Sequence, residues 1–222
     1  MKATIFLLTF WSTVASCHSA SIENTKKDNM QNQDILSLVR KNDIQGVVEA
    51  LKGGANVNTT DNQKRSLLLI ATEDGKGEMV KLLVKHGANV NQQADNLDSP
   101  FLYAGASGQT EFVQLFLKNG ARFDIFNRYY GSALIPACER GHVATVKLLA
   151  STKGYPIDHI NRLGWTALLE AIILGDGSKK YQEVVQILKD AGAKLTIADH
   201  DGITPLQHAK SRGFDNIVDI LK

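Results

Sequence analysis

One five-residue phrase returns along this chain on a nearly fixed beat, and that recurrence restricts the fold more than any other feature. Gly54-Ala55-Asn56-Val57-Asn58 recurs as Gly87-Ala88-Asn89-Val90-Asn91 and again as Gly120-Ala121-Arg122-Phe123-Asp124. Weaker copies begin at Gly154 and Gly192, so the spacings are 33, 33, 34 and 38 residues. A second signature keeps the same intervals: Ser66-Leu67-Leu68, Ser99-Pro100-Phe101, Ser132-Ala133-Leu134, Thr166-Ala167-Leu168 and Thr204-Pro205-Leu206. A period of this size implies one small supersecondary unit, stacked, because such a unit cannot cover its own apolar faces alone.

The content of each unit follows from elementary chemistry. Ser or Thr caps a helix by accepting from freed backbone amides, and Pro at the next position has its φ already set. Four residues beyond the start of this first helix stands a small residue, Ala71, Ala104, Ala137, Ala171 or Ala209, where neighbouring helices crowd. Gly75, Gly108, Gly141, Gly175 and Gly213 are expected to end it, since a left-handed turn suits glycine. A second helix follows with an apolar face, Met79, Val80, Leu82 and Leu83 in one unit, Phe112, Val113, Leu115 and Phe116 in the next. Gly87 and its equivalents end that helix, and a hairpin leads onward.

Together these signatures resemble the ankyrin repeat, with its T-P-L-like start and G-A-(D/N)-V-N-like end. The resemblance covers residues 34–222 and implies an all-α ankyrin-repeat solenoid, helix-turn-helix units joined by β-hairpin fingers. About five to six repeats are expected, caps included: 34–58 as N-cap, then 59–91, 92–124, 125–158, 159–195, and 196–222 as C-cap. The first unit lacks the turn and T-P-L start, its second helix reads about one residue short, and Ser37, Arg40, Lys41 and Gln45 interrupt its apolar positions. Lys210, Arg212, Asp215, Asn216 and Asp219 make the last unit half polar, so residues 34–222 read as one complete solenoid without a second domain. The fourth unit carries about five extra residues near Gly175 to Lys180, expected as a loop away from the fingers. Pro136 falls in the first turn of its helix, where a missing amide costs little, and Pro156 is expected to make the third finger irregular.

Ahead of the repeats, Ala3 to Ala15 is an apolar run behind Lys2. Thirteen residues rise about 20 Å as a helix, short of a ~30 Å hydrocarbon core, so a removed secretory signal fits better than a membrane span. The alternative is a frayed N-terminal helix. Val14-Ala15-Ser16-Cys17 resembles the bacterial lipobox, which implies a signal peptide over 1–16, cleavage before Cys17 and lipidation of Cys17. Cleavage after Ala20 would put His18 three places before the cut, where a small residue is preferred; cleavage after Cys17 competes better, with Ala15 there. Within the lipoprotein family, His18 in place of an inner-membrane aspartate implies the outer membrane, facing the periplasm. Residues 17–33 are polar and read as a tether. If Cys17 carries lipid, Cys138 is the one remaining thiol.

Composition removes other classes. Basic residues number 25 against 23 acidic, a net charge of +2 that gives no reason to expect a nucleic-acid partner. Two cysteines are too few for a disulfide scaffold or a four-cysteine zinc site. The six histidines show no metal-ligand spacing, and no G-x-S-x-G or phosphate-binding glycine cluster is present. His142 reads as structural, His208 as an inter-repeat hydrogen-bonder and Cys138 as a buried thiol. No catalytic residue, metal site or cofactor is expected, and the unbound chain is expected to be monomeric.

Function then falls to the surface. Ankyrin arrays bind through finger tips and the exposed side of the first helices, so the resemblance implies a protein partner. The corresponding positions include Arg65, Asp98, Arg140 and His200, and two adjacent fingers bring together Arg128, Tyr129, Tyr130, Arg162, Leu163 and Trp165. Tyr, Trp and Arg are the types enriched at interface hot spots, which makes those tips the expected centre of contact. Tyr130 and Trp165 could instead pack finger against finger. With an envelope address, the chain resembles small ankyrin-repeat lipoproteins paired with antibacterial phospholipase effectors, which implies an immunity-type protein that binds and neutralises a toxin. Alternatives are a periplasmic scaffold or chaperone for a resident envelope protein, and a secreted factor binding host proteins.

Overall fold

The structure is a computed structural model that describes residues 34–222, so the expected signal peptide, Cys17 and the tether lie outside the described residues. Among the described residues twelve helices follow one another in pairs. They are α1 (34–41), α2 (Ile44–Lys52), α3 (Leu67–Glu73), α4 (Gly77–Lys85), α5 (Pro100–Ala106), α6 (Thr110–Lys118), α7 (Leu134–Glu139), α8 (Val143–Ala150), α9 (Ala167–Ile173), α10 (Lys179–Asp190), α11 (Pro205–Ser211) and α12 (Asp215–Leu221). The first helices α3, α5, α7, α9 and α11 pack in one row. The second helices line up behind them, α6 on α8, α8 on α10 and α10 on α12. The helical solenoid expected from the repeat is the observed fold.

Stacking explains where the core sits. Ala71, Ala104, Ala137, Ala171 and Ala209 are fully buried between first helices, which a larger side chain would force apart. Met79, Leu83, Phe101, Phe116, Leu134, Leu149 and Leu169 are also sealed from solvent. Each such side chain contributes about 1.5–3 kcal/mol. Ser66, Ser99, Thr166 and Thr204 cap their helices as expected, each side chain accepting from the third helical amide. Ser132 does not. Instead the hydroxyl of Tyr155, from the following connection, accepts from Leu134 N–H at 3.1 Å.

Three further expectations need correction. Helix α2 spans nine residues, as do α4 and α6, so the first unit is not shortened. The extra residues of the fourth unit do not all form a loop. Residues 174–178 link α9 to α10 where the units of α3, α5, α7 and α11 use three, such as 74–76, and α10 itself runs to twelve residues. The left-handed residue at that junction is Gly177, at φ 72°, not Gly175. A Cβ on Gly175 would stand 2.2 Å from the Ala171 carbonyl, so close approach rather than conformation accounts for that glycine.

The five connections end in one shared turn. Asp61, Ala94, Asn127, Asn161 and Asp199 each donate N–H to the carbonyl four residues on, at 2.9–3.1 Å, and accept at their own carbonyl from the residue three on. That last residue has positive φ every time: Lys64, Leu97, Tyr130, Gly164 and Gly202. Pro156 in fact stands in the fourth finger, not the third, and that finger keeps this tip; the irregularity lies upstream, where Tyr155 N–H turns to Thr152 instead of reaching back into the helix. Backbone bonds tie the tips in pairs. Asp95 N–H donates to Gln63 at 3.0 Å and Arg162 N–H to Tyr129 at 2.9 Å. Among the described residues no backbone bond joins the tip of the second finger to that of the third.

Candidate protein-binding cleft

A cleft of about 520 Å³ opens where the second, third and fourth fingers meet the first helices. Asp98, Arg128, Tyr129, Arg140 and Leu163 all line it, so half of the ten expected contact residues converge on one concavity. Its apolar walls are exposed: Tyr129 by 52%, Leu163 by 48% and Leu174, at the end of α9, by 49%. Arg128 lies over the Tyr129 ring at 5.0 Å and reaches Asp98 at 4.0 Å. Arg140 Nη1 donates to the Ala106 carbonyl at 2.7 Å. Both guanidinium groups are thus held at the rim by this chain's own atoms.

The other five expected contact residues lie elsewhere or do other work. Tyr130 packs against Phe126 and His159, with ring centroids 4.4 and 5.2 Å away, and is not among the residues lining the cleft. Arg162 reaches across to the Arg128 carbonyl at 2.9 Å and couples two fingers. Trp165 is half-buried and outside the lining. Arg65 holds Asp61 of the first finger at 2.8 Å and Glu73, the last residue of α3, at 3.1 Å. Although burial favours the neutral acid, those hydrogen bonds and the turn amides keep the Asp61 carboxyl below its ordinary value. The exposed His200 ring lies where a Cβ on Gly164 would fall. His208 bonds within its own unit, to Asp199 at 2.7 Å, not between repeats as expected.

The sequence reading missed Glu170. This glutamate is 4% exposed, stands among the apolar residues of α9 and lines the cleft. Its Oε1 accepts from Asn161 Nδ2 at 2.7 Å, while Asn161 Oδ1 accepts from Leu163 N–H and Trp165 N–H and so fixes the fourth finger tip. Its second oxygen, Oε2, accepts no hydrogen bond among the described residues. Burial, and then the Glu139 charge, push the carboxyl up to about 7, with Asn161 opposing. Asp98 is raised too, chiefly by burial, against the pull of Arg128. A glutamate inside an otherwise apolar helix, nine residues after the finger asparagine, was the available signal. Cys138 is buried, and desolvation raises its thiol far from nucleophilic range.

The repeated pairs and the concave finger face define a helical repeat solenoid built for interaction. The family profile for ankyrin repeats (3 copies) matches residues 36–127 and 126–199, and the chain belongs to that family. It is 34% identical over 188 residues to the ankyrin repeat protein YahD of Escherichia coli (strain K12), covering 85% of this chain and 94% of that one. A solved ankyrin repeat domain from Acinetobacter baumannii AYE superposes with a TM-score of 0.82 at 43% identity, over 84% of this chain and 95% of that one. The ankyrin repeat protein EF0377 also gives 0.82, at 38% identity, covering 85% and 96%. Ankyrin repeats are generally non-catalytic modules for protein–protein interaction.

Proposed function

We propose that this chain is a non-catalytic binding protein that seats a protein partner in the cleft at its second to fourth fingers. One observation carries the reading: Tyr129, Leu163 and Leu174 stand about half exposed around a single concavity on a packed scaffold. Exposed apolar groups gathered beside engaged arginines are what interface centres use. The partner in this reading is a toxin, such as a phospholipase-type effector, which the chain neutralises in the periplasm while anchored to the outer membrane through a lipidated Cys17. The apolar run at 3–15 and the Val14-Ala15-Ser16-Cys17 segment support that address. A tagged pull-down from native envelope extract tests it, wild type beside a Tyr129→Ala, Leu163→Ala double variant. A hydrolase recovered by wild type alone is the expected result. A resident envelope protein held equally by both forms would sink the toxin and the cleft together.

A further inference from the structure

The cleft has an electrical asymmetry that bears on what enters it. Three carboxylates line it, Asp98, Glu139 and Glu170, against two guanidinium groups. The two cations are already occupied, Arg128 by Asp98 and the Tyr129 ring, Arg140 by the Ala106 carbonyl. Glu170 is sealed to 4% exposure and still has one oxygen without a donor. A largely buried carboxylate with one oxygen that no protein donor reaches is under-paired in the free protein, and a donor cation entering the cleft relieves that.

Resting on the reading of the cleft as a protein-binding site, we propose that it receives one basic side chain of the partner, a lysine or arginine that donates to Glu170 Oε2. Tyr129, Leu163 and Leu174 then cover the aliphatic stem and the apolar residues beside it. A stem buried on apolar walls with its charged head on a carboxylate is how long basic side chains fill such sites. The upward displacement of the Glu170 carboxyl to about 7 fits a group that lacks its countercharge in the free protein. Asn161 holds the other oxygen, so the acceptor is oriented before the partner arrives.

Selection of a random-peptide library on the full-length protein tests this without knowledge of the natural partner. Wild type should enrich peptides carrying Lys or Arg next to apolar residues. Replacing that basic residue by norleucine should weaken binding to wild type at least about tenfold, and binding to Glu170→Gln less than about twofold. Gln at 170 can still accept from Asn161, so an unchanged amide spectrum for Leu163 and Trp165 confirms that the finger is intact. Cleft-binding peptides without a basic residue, or an equal norleucine loss in both proteins, would overturn the basic-side-chain assignment and leave the cleft standing. Peptides that bind the Tyr129→Ala, Leu163→Ala variant as well as wild type, or a selection that enriches none, would overturn the cleft itself and this inference with it.

Discussion

Tyr155 and Leu134 are joined from opposite ends of one unit: the phenolic oxygen accepts from the backbone amide at 3.1 Å and so caps α7 from the connection that follows α8. Burial pushes the phenol up to about 12, so it stays protonated throughout the physiological range. Tyr155→Phe keeps the ring, which packs on Phe123 at 4.9 Å, and removes the acceptor. The variant should lose about 1–2 kcal/mol in urea unfolding, the cost of a buried amide left unpaired. A loss below about 0.3 kcal/mol would mean that Ser132 takes over the cap.

Equivalent tip positions should respond to glycine and alanine in opposite directions. Leu97 has φ 63° and is 40% exposed, so Leu97→Gly should raise stability by about 0.5–1 kcal/mol, the left-handed strain outweighing the added chain entropy. Gly164 has φ 80°, and a Cβ there would stand 2.6 Å from the His200 ring. Gly164→Ala should lower stability by about 1–2 kcal/mol. Chemical denaturation of both variants decides the matter.

The Glu170 carboxyl makes stability fall as pH rises. Its folded value, about 7, exceeds the ordinary 4.5, so between those limits the folded chain binds more protons than the unfolded one. Its contribution is complete below about 4.5 and is lost as pH rises through about 7. Wild type minus Glu170→Gln should show a decline of about 2 kcal/mol between pH 5 and pH 8, a figure reduced because the cleft admits water. A flat difference would show that the carboxylate is better solvated than the geometry implies.

The fourth and fifth units solve one problem with different pairs, Asn161 with Glu170 and Asp199 with His208, each nine residues apart at 2.7 Å. Asn161→Asp alone places a second acid against Glu170 and should cost about 2–3 kcal/mol at pH 8. Adding Glu170→His copies the fifth unit and should restore at least half of that loss. A double-mutant cycle in urea measures the coupling.

The repeat, four of its five expected Ser/Thr caps and the buried alanine row were legible because each depends on residues within one unit and one helical period. What was illegible depended on stacking. Gly175 and Gly177 stand two residues apart, and only the packing of α10 decides which takes the left-handed turn. Tyr130 could meet a partner or pack finger against finger, and only the stacking shows its half-exposed ring resting on Phe126 and His159, whose rings are themselves stacked at 4.2 Å. Glu170 escaped notice because nothing local distinguishes a glutamate that faces a cleft from one that faces water. Its role exists only through a finger asparagine and the neighbouring α7.

The backbone ties between finger tips are unevenly placed along the array. The first and second tips form one doublet and the third and fourth another, and the cleft has Asp98 on one doublet and Arg128 and Tyr129 on the other. Across the cleft the second and third fingers are joined through side chains instead, Gln93 Nε2 donating to the Phe126 carbonyl at 2.8 Å and Arg128 reaching Asp98 at 4.0 Å. A partner seated there spans both doublets and adds contacts at a boundary that the chain secures with side chains alone.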